Sequence, residues 1–149
     1  MKVLLVLSLT AIALGTFAYS RMGSPYAASA QQNKFTATEN GESPLACNTL
    51  ALTPEIRKRH FQVLGPTLVS LRKAVHEIAD GYEFEFPNDQ KTYDILTEWA
   101  FQESQCCPFF DISVRMEREH GALVLRLTGR EGTKAFIQGD AARWIQPVK

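Results

Sequence analysis

The stretch Tyr82-Glu83-Phe84-Glu85-Phe86 alternates aromatic and acidic side chains without a break. Successive side chains of a strand point to opposite faces, so this pattern demands a strand with one face buried and one in water. Asp80-Gly81, a dipeptide favoured in type I′ turns, precedes it. A hairpin is therefore expected, pairing residues 75–79 with 82–86 across Asp80-Gly81. The competing reading continues a helix over 73–79 with Gly81 as its cap, but the strict alternation beyond the glycine favours the hairpin. Residues 110–116 alternate in the same way. After a turn at Glu119-His120-Gly121, Leu123, Leu125 and Leu127 fall on one side of a fourth strand.

Helical signals separate these strands. Thr53-Pro54-Glu55 supplies a cap, a proline at the first helical position and an acid near the positive dipole end. Ile56, His60, Leu64, Leu68 and Leu71 then recur at helical spacing, and Gly65-Pro66 is expected to kink or split that helix. Pro87-Asn88-Asp89 opens a second helix over 89–105, whose apolar stripe is Thr92, Leu96 and Trp99. Thr128-Gly129 leads into a last helix over 130–138. The order α-β-β-α-β-β-α predicts an α+β fold of two layers, a four-stranded antiparallel sheet with helices on one face.

The chain has 149 residues with 16 basic and 16 acidic side chains, so it has no excess positive charge to bind nucleic acid by counterion release. Residues 3–18 are apolar to weakly polar behind Lys2, and small residues at Ala18-Tyr19-Ser20 and Ala28-Ser29-Ala30 resemble cleavage sites. Residues 1–30 are therefore expected to be a signal peptide or an N-terminal membrane anchor, which places the protein outside the cytoplasm, periplasmic or extracellular. Only retention of residues 3–18 would tie it to the inner membrane. Residues 31–44 are polar and poor in large apolar groups, as in a flexible tether. The single folded domain is expected over 45–146. Removing residues 1–30 leaves 14 basic and 16 acidic groups, a net charge of −2.

The densest chemistry lies in Glu103-Ser104-Gln105-Cys106-Cys107-Pro108-Phe109-Phe110. Glu103 follows Trp99 by four residues and continues the buried stripe. Cys106 and Cys107 follow three and four residues later, on the same side of the helix end. Pro108 disfavours helical backbone at Cys107, so the helix should stop there. The negative end of the helix dipole raises a thiol's pKa and favours a bound cation, which argues for metal ligation over a cysteine nucleophile. Thiolates suit soft or borderline ions such as Cu(I), Zn(II) or Hg(II). The candidate ligands are Cys47, Cys106 and Cys107, with Glu103 and His60 beside them. A lone histidine on an apolar helix face is more often a core residue bonded to a backbone carbonyl. His76, on a strand surface, and His120, in a turn, are weaker candidates.

Two other readings stand beside the metal site. In an oxidising compartment Cys47 could pair with Cys106 or Cys107, closing a loop of about 60 residues worth roughly 4 kcal/mol. The chain would then be a structural or partner-binding module. The third reading is a thiol redox protein. The sequence carries no Gly-rich phosphate loop, His-Glu-x-x-His, Gly-x-Ser-x-Gly or Cys-x-x-Cys motif.

Ala46-Cys47-Asn48, Asp80-Gly81-Tyr82, Glu103-x-x-Cys106-Cys107-Pro108-Phe109-Phe110 and Leu127-Thr128-Gly129-x-Glu131-Gly132-x-Lys134 together resemble a family of small bacterial proteins sharing this Cys-Cys-Pro-Phe pattern. The resemblance spans roughly residues 45–138. It implies that the three cysteines form one recurring set, and it implies no reaction. Members of that family look cytosolic, which would favour thiolate ligation over a disulfide; the leader here is a departure from them.

Overall fold

The computed structural model describes residues 41–147. The leader at 1–30 and residues 31–40 of the expected tether lie outside the described residues. The tether's last residues pack on the domain, because Arg130 forms an ion pair with Glu42 and also bonds the Ser43 carbonyl.

The architecture is α+β. Three consecutive helical segments, α1 (Pro54–Arg59), a π-helical turn (His60–Leu64) and α2 (Gly65–Leu71), lead into strands β1 (Ala74–Ile78) and β2 (Gly81–Phe86). Helix α3 (Gln90–Cys106), strands β3 (Phe110–Met116) and β4 (Leu123–Gly129) and helix α4 (Thr133–Asp140) follow. Short 3-10 turns stand at Thr49–Ala51 and Ala142–Trp144. The four strands form one antiparallel sheet in the order β1-β2-β4-β3. Among the described residues no helix is long and apolar enough to cross a membrane.

Register explains the core. Tyr82, Phe84 and Phe86 stand opposite Leu127, Leu125 and Leu123, so six buried side chains fill one face of the central strand pair. Leu64, Leu68, Leu96 and Ile137, all fully buried, close over that face from the helices. The opposite face carries charge: Arg126 reaches Asp80 at 3.4 Å and Glu83 at 3.7 Å, and Arg115 reaches Glu83 at 3.9 Å. Only the apolar face can bury the helices, which is why they lie on one side.

Four details differ from the sequence expectations. The hairpin forms, but Ile78 pairs with Gly81, so Ala79 and Asp80 make the turn and neither has positive φ. Gly81 is instead needed for close approach, since a Cβ there would lie 2.0 Å from the Leu127 carbonyl oxygen on β4. The left-handed pair occurs in the other hairpin, at Glu119 and His120 (φ 57° and 59°). Gly65-Pro66 does not split the helix. Pro66 has no N–H to donate, and a π-turn before it, in which the Gly65 N–H reaches the His60 carbonyl, carries the helix through. Finally, α4 begins at Thr133 rather than at 130, because Gly132 in the left-handed region (φ 93°) precedes it.

Candidate functional site

The end of α3 is where the site is built. Asp89 caps the other end, its carboxylate accepting from the Thr92 N–H at 2.9 Å, and this sets the helix register that carries Trp99, Gln102, Glu103 and Cys106 inward. All four are buried. At the C-terminus Pro108 excludes helical backbone from Cys107, which adopts φ −125°, ψ 67° while its N–H still bonds the Glu103 carbonyl at 2.8 Å. The vicinal cysteines therefore belong to different structures, Cys106 to the helix and Cys107 to its cap.

Cys47 arrives from the segment before α1. The Asn48 N–H donates to the Cys106 carbonyl at 2.7 Å, and the Asn48 side chain caps the short turn that follows through the Leu50 N–H. These bonds seat Cys47 against Cys107, and the two form a disulfide with Cα atoms 4.4 Å apart. Cys106 remains a free, buried thiol whose sulfur lies 3.5 Å from that of Cys107. Burial, with the Glu103 carboxylate adding to it, pushes the Cys106 thiol from an ordinary 9.0 up to about 12. Cys106 is thus held as S–H in this state.

His60 joins the same centre, since the first residue of the π-turn faces α3. Its ring stacks on Trp99 at 5.5 Å, with planes 10° apart. Nδ1 lies 3.2 Å from Gln102 Oε1 and Nε2 lies 2.8 Å from Glu103 Oε2. The expected backbone-carbonyl partner is replaced by two side chains. Gln102 is oriented from behind: its amide N–H₂ donates to Glu98 Oε1 at 3.0 Å, which leaves its oxygen facing His60. Glu98 is in turn held by two guanidinium nitrogens of Arg59, Nε at 2.5 Å and Nη2 at 2.6 Å, and those bonds keep its carboxyl below the ordinary range. His60 Nδ1 thus faces an acceptor, while its Nε2 faces the Glu103 carboxyl. The chain Arg59–Glu98–Gln102–His60–Glu103 ends 3.9 Å from the Cys106 sulfur.

All five residues expected from the sequence are therefore brought together. They form two overlapping triads, Cys47–Glu103–Cys107 and His60–Glu103–Cys106, each with its ligand atoms within 4.8 Å of one another and with Glu103 common to both. His76 and His120 lie elsewhere: His76 pairs with Glu85 on the sheet, and His120 sits in its turn.

A cavity of about 470 Å³ opens beside the disulfide. Cys47, Cys107, Glu103 and His60 belong to its lining, together with Trp99, Trp144, Phe110 and Phe136. Asp140 and Arg143, both exposed, also line it. The sequence pointed to Cys47, His60, Glu103 and Cys107 but not to the cavity they help to line, because its walls come from segments far apart in the chain. Gln102 was also missed. Its place beside Glu103 on the buried stripe was the available signal.

No family model, curated protein or solved structure matches the chain.

Proposed function

We propose that the reduced protein binds one soft or borderline metal ion, such as Cu(I), Zn(II) or Hg(II), and serves in metal handling or sensing outside the cytoplasm. The observation that carries this reading is the convergence of three sulfurs and one buried carboxylate at the end of α3. Two sulfurs bound at about 2.3 Å to one tetrahedral ion lie roughly 3.8 Å apart, and the Cys106 and Cys107 sulfurs are separated by 3.5 Å. Cys47, Cys106 and Cys107 are the thiolate ligands, and Glu103 completes the set or supports it from behind. His60 orients Glu103. A bound cation would reverse the electrostatics that hold Cys106 as a thiol, and binding would release protons. The Cys47–Cys107 disulfide withdraws two of the three thiolates, so the site is closed when oxidised and opened by reduction.

Titration of the reduced, metal-free protein, followed by thiolate charge-transfer absorbance and elemental analysis, tests this reading. One equivalent should bind, with the absorbance lost in a Cys106→Ala, Cys107→Ala double variant. Unchanged metal content in that variant would sink the proposal.

The formed disulfide favours a second reading, a structural or partner-binding module stapled by one bond. That reading predicts no metal uptake by the reduced chain.

A further inference from the structure

The cavity and the disulfide belong to one surface. An apolar cavity of roughly 150 Å³ is enough to hold benzene, and this one measures about 470 Å³. Five aromatic side chains, Phe61, Trp99, Phe110, Phe136 and Trp144, are among those lining it, which suits a flat ring. Both residues of the Cys47–Cys107 disulfide belong to its lining. Its lining also carries His60 and Glu103, with Asp140 and Arg143 as its other charged or ionisable side chains.

We propose that this cavity binds small aromatic thiols and presents them to the disulfide for exchange. The ring lies against the packed Trp99–Trp144 pair and Phe136, and the thiolate attacks the sulfur of half-buried Cys47, the more accessible residue of the pair, since Cys107 is 1% exposed. The aryl thiolate sulfur forms a bond to Cys47 Sγ as the Cys47–Cys107 bond breaks, and the electron pair leaves on Cys107 Sγ. That leaving thiolate accepts a hydrogen bond from the Cys106 S–H, 3.5 Å away. The aryl thiol has given its proton to solvent on ionising, and Cys107 takes one from solvent after release. The exchange is redox-neutral and needs no further oxidant. It does not depend on metal binding, because the disulfide alone supplies the reacting bond.

The test uses the oxidised full-length chain without metal. Benzenethiol and 2-mercaptoethanesulfonate are each reacted with it, and their rates are normalised to their exchange with oxidised glutathione. Saturation with benzenethiol, a normalised rate at least tenfold above that of the charged thiol, and an adduct mapped to Cys47 are expected. Thioanisole, which has no S–H, should compete with benzenethiol and lower its rate, a readout that needs no variant. Ala141→Trp, which fills the cavity, should abolish the saturation while the disulfide stays intact by mass. Linear concentration dependence unaffected by thioanisole, equal normalised rates, or an adduct on Cys107 would each overturn the proposal.

Discussion

Reducing the Cys47–Cys107 bond changes no side chain, so it isolates what the cross-link does. The bond closes a loop of 60 residues, and the chain-entropy relation gives about 4 kcal/mol for a loop of that length. Almost all of that acts on the unfolded state. In the folded state Cys47 is also held by the Asn48 bond to Cys106, and Leu52 just beyond it is 6% exposed in the core. The reduced domain should therefore stay folded but lose about 4 kcal/mol. Urea unfolding followed by the fluorescence of Trp99 and Trp144, both buried, measures this directly in a chelator with and without a phosphine reductant. For slopes of about 1–2 kcal/mol per molar the midpoint should fall by roughly 2–4 M. The oxidised, denatured protein should titrate one thiol and the reduced protein three. A loss below about 1 kcal/mol would refute the reasoning, because it would mean that the unfolded chain already holds Cys47 close to Cys107. If the reduced site binds metal, an ion at a hundred times its dissociation constant should restore about 2.7 kcal/mol.

The remaining expectations are more local. Cys106 has its folded-state pKa raised to about 12 against 9.0, so its effect on stability is nil below pH 9. Stability should fall above pH 9, as the unfolded thiol ionises first, by at most about 1.4 kcal/mol per pH unit. A Cys106→Ala variant should lack that limb in urea midpoints measured from pH 8 to 10.5. Gly81→Ala should cost at least about 2 kcal/mol by thermal unfolding, since the added Cβ meets the Leu127 carbonyl at 2.0 Å. Gly139→Ala in α4, where a Cβ meets nothing within 4 Å, should stabilise by about 0.5–1 kcal/mol. Arg72 is buried at the C-cap of α2 and ties that helix end to the C-terminal turn through the carbonyls of Arg143, Trp144 and Gln146. Arg72→Ala should therefore cost about 2–4 kcal/mol in urea unfolding and free the end of the chain to proteolysis.

Much of this was already legible in the chain's local patterns. The period of two in residues 82–86, 110–116 and 123–127 comes from strand geometry, and each became a strand of the sheet. The Thr53 and Asp89 caps mark true helix starts, because a cap depends on neighbours within three residues. The position of the helix end at Cys106 and Cys107 follows likewise from Pro108. Such features are set by contacts close in sequence, and so a pattern can report them.

Other features depend on which distant segments meet, and only the tertiary structure decided those. Local spacing treats Cys106 and Cys107 alike as partners for Cys47. The choice falls to Cys107 because the Asn48–Cys106 backbone bond seats Cys47 beside the non-helical cap residue. Gly81 reads locally as a turn glycine, yet it is required by the approach of β4, which is 46 residues further along the chain at Leu127. His60 reads as a core histidine until α3 supplies Gln102 and Glu103 as its two partners. The cavity has walls drawn from the first and last turns of the domain. Chemistry in this protein is assembled from residues that share no local pattern, because a pocket walled by distant segments and the buried His60–Glu103 pair exist only once the helices have closed on the sheet.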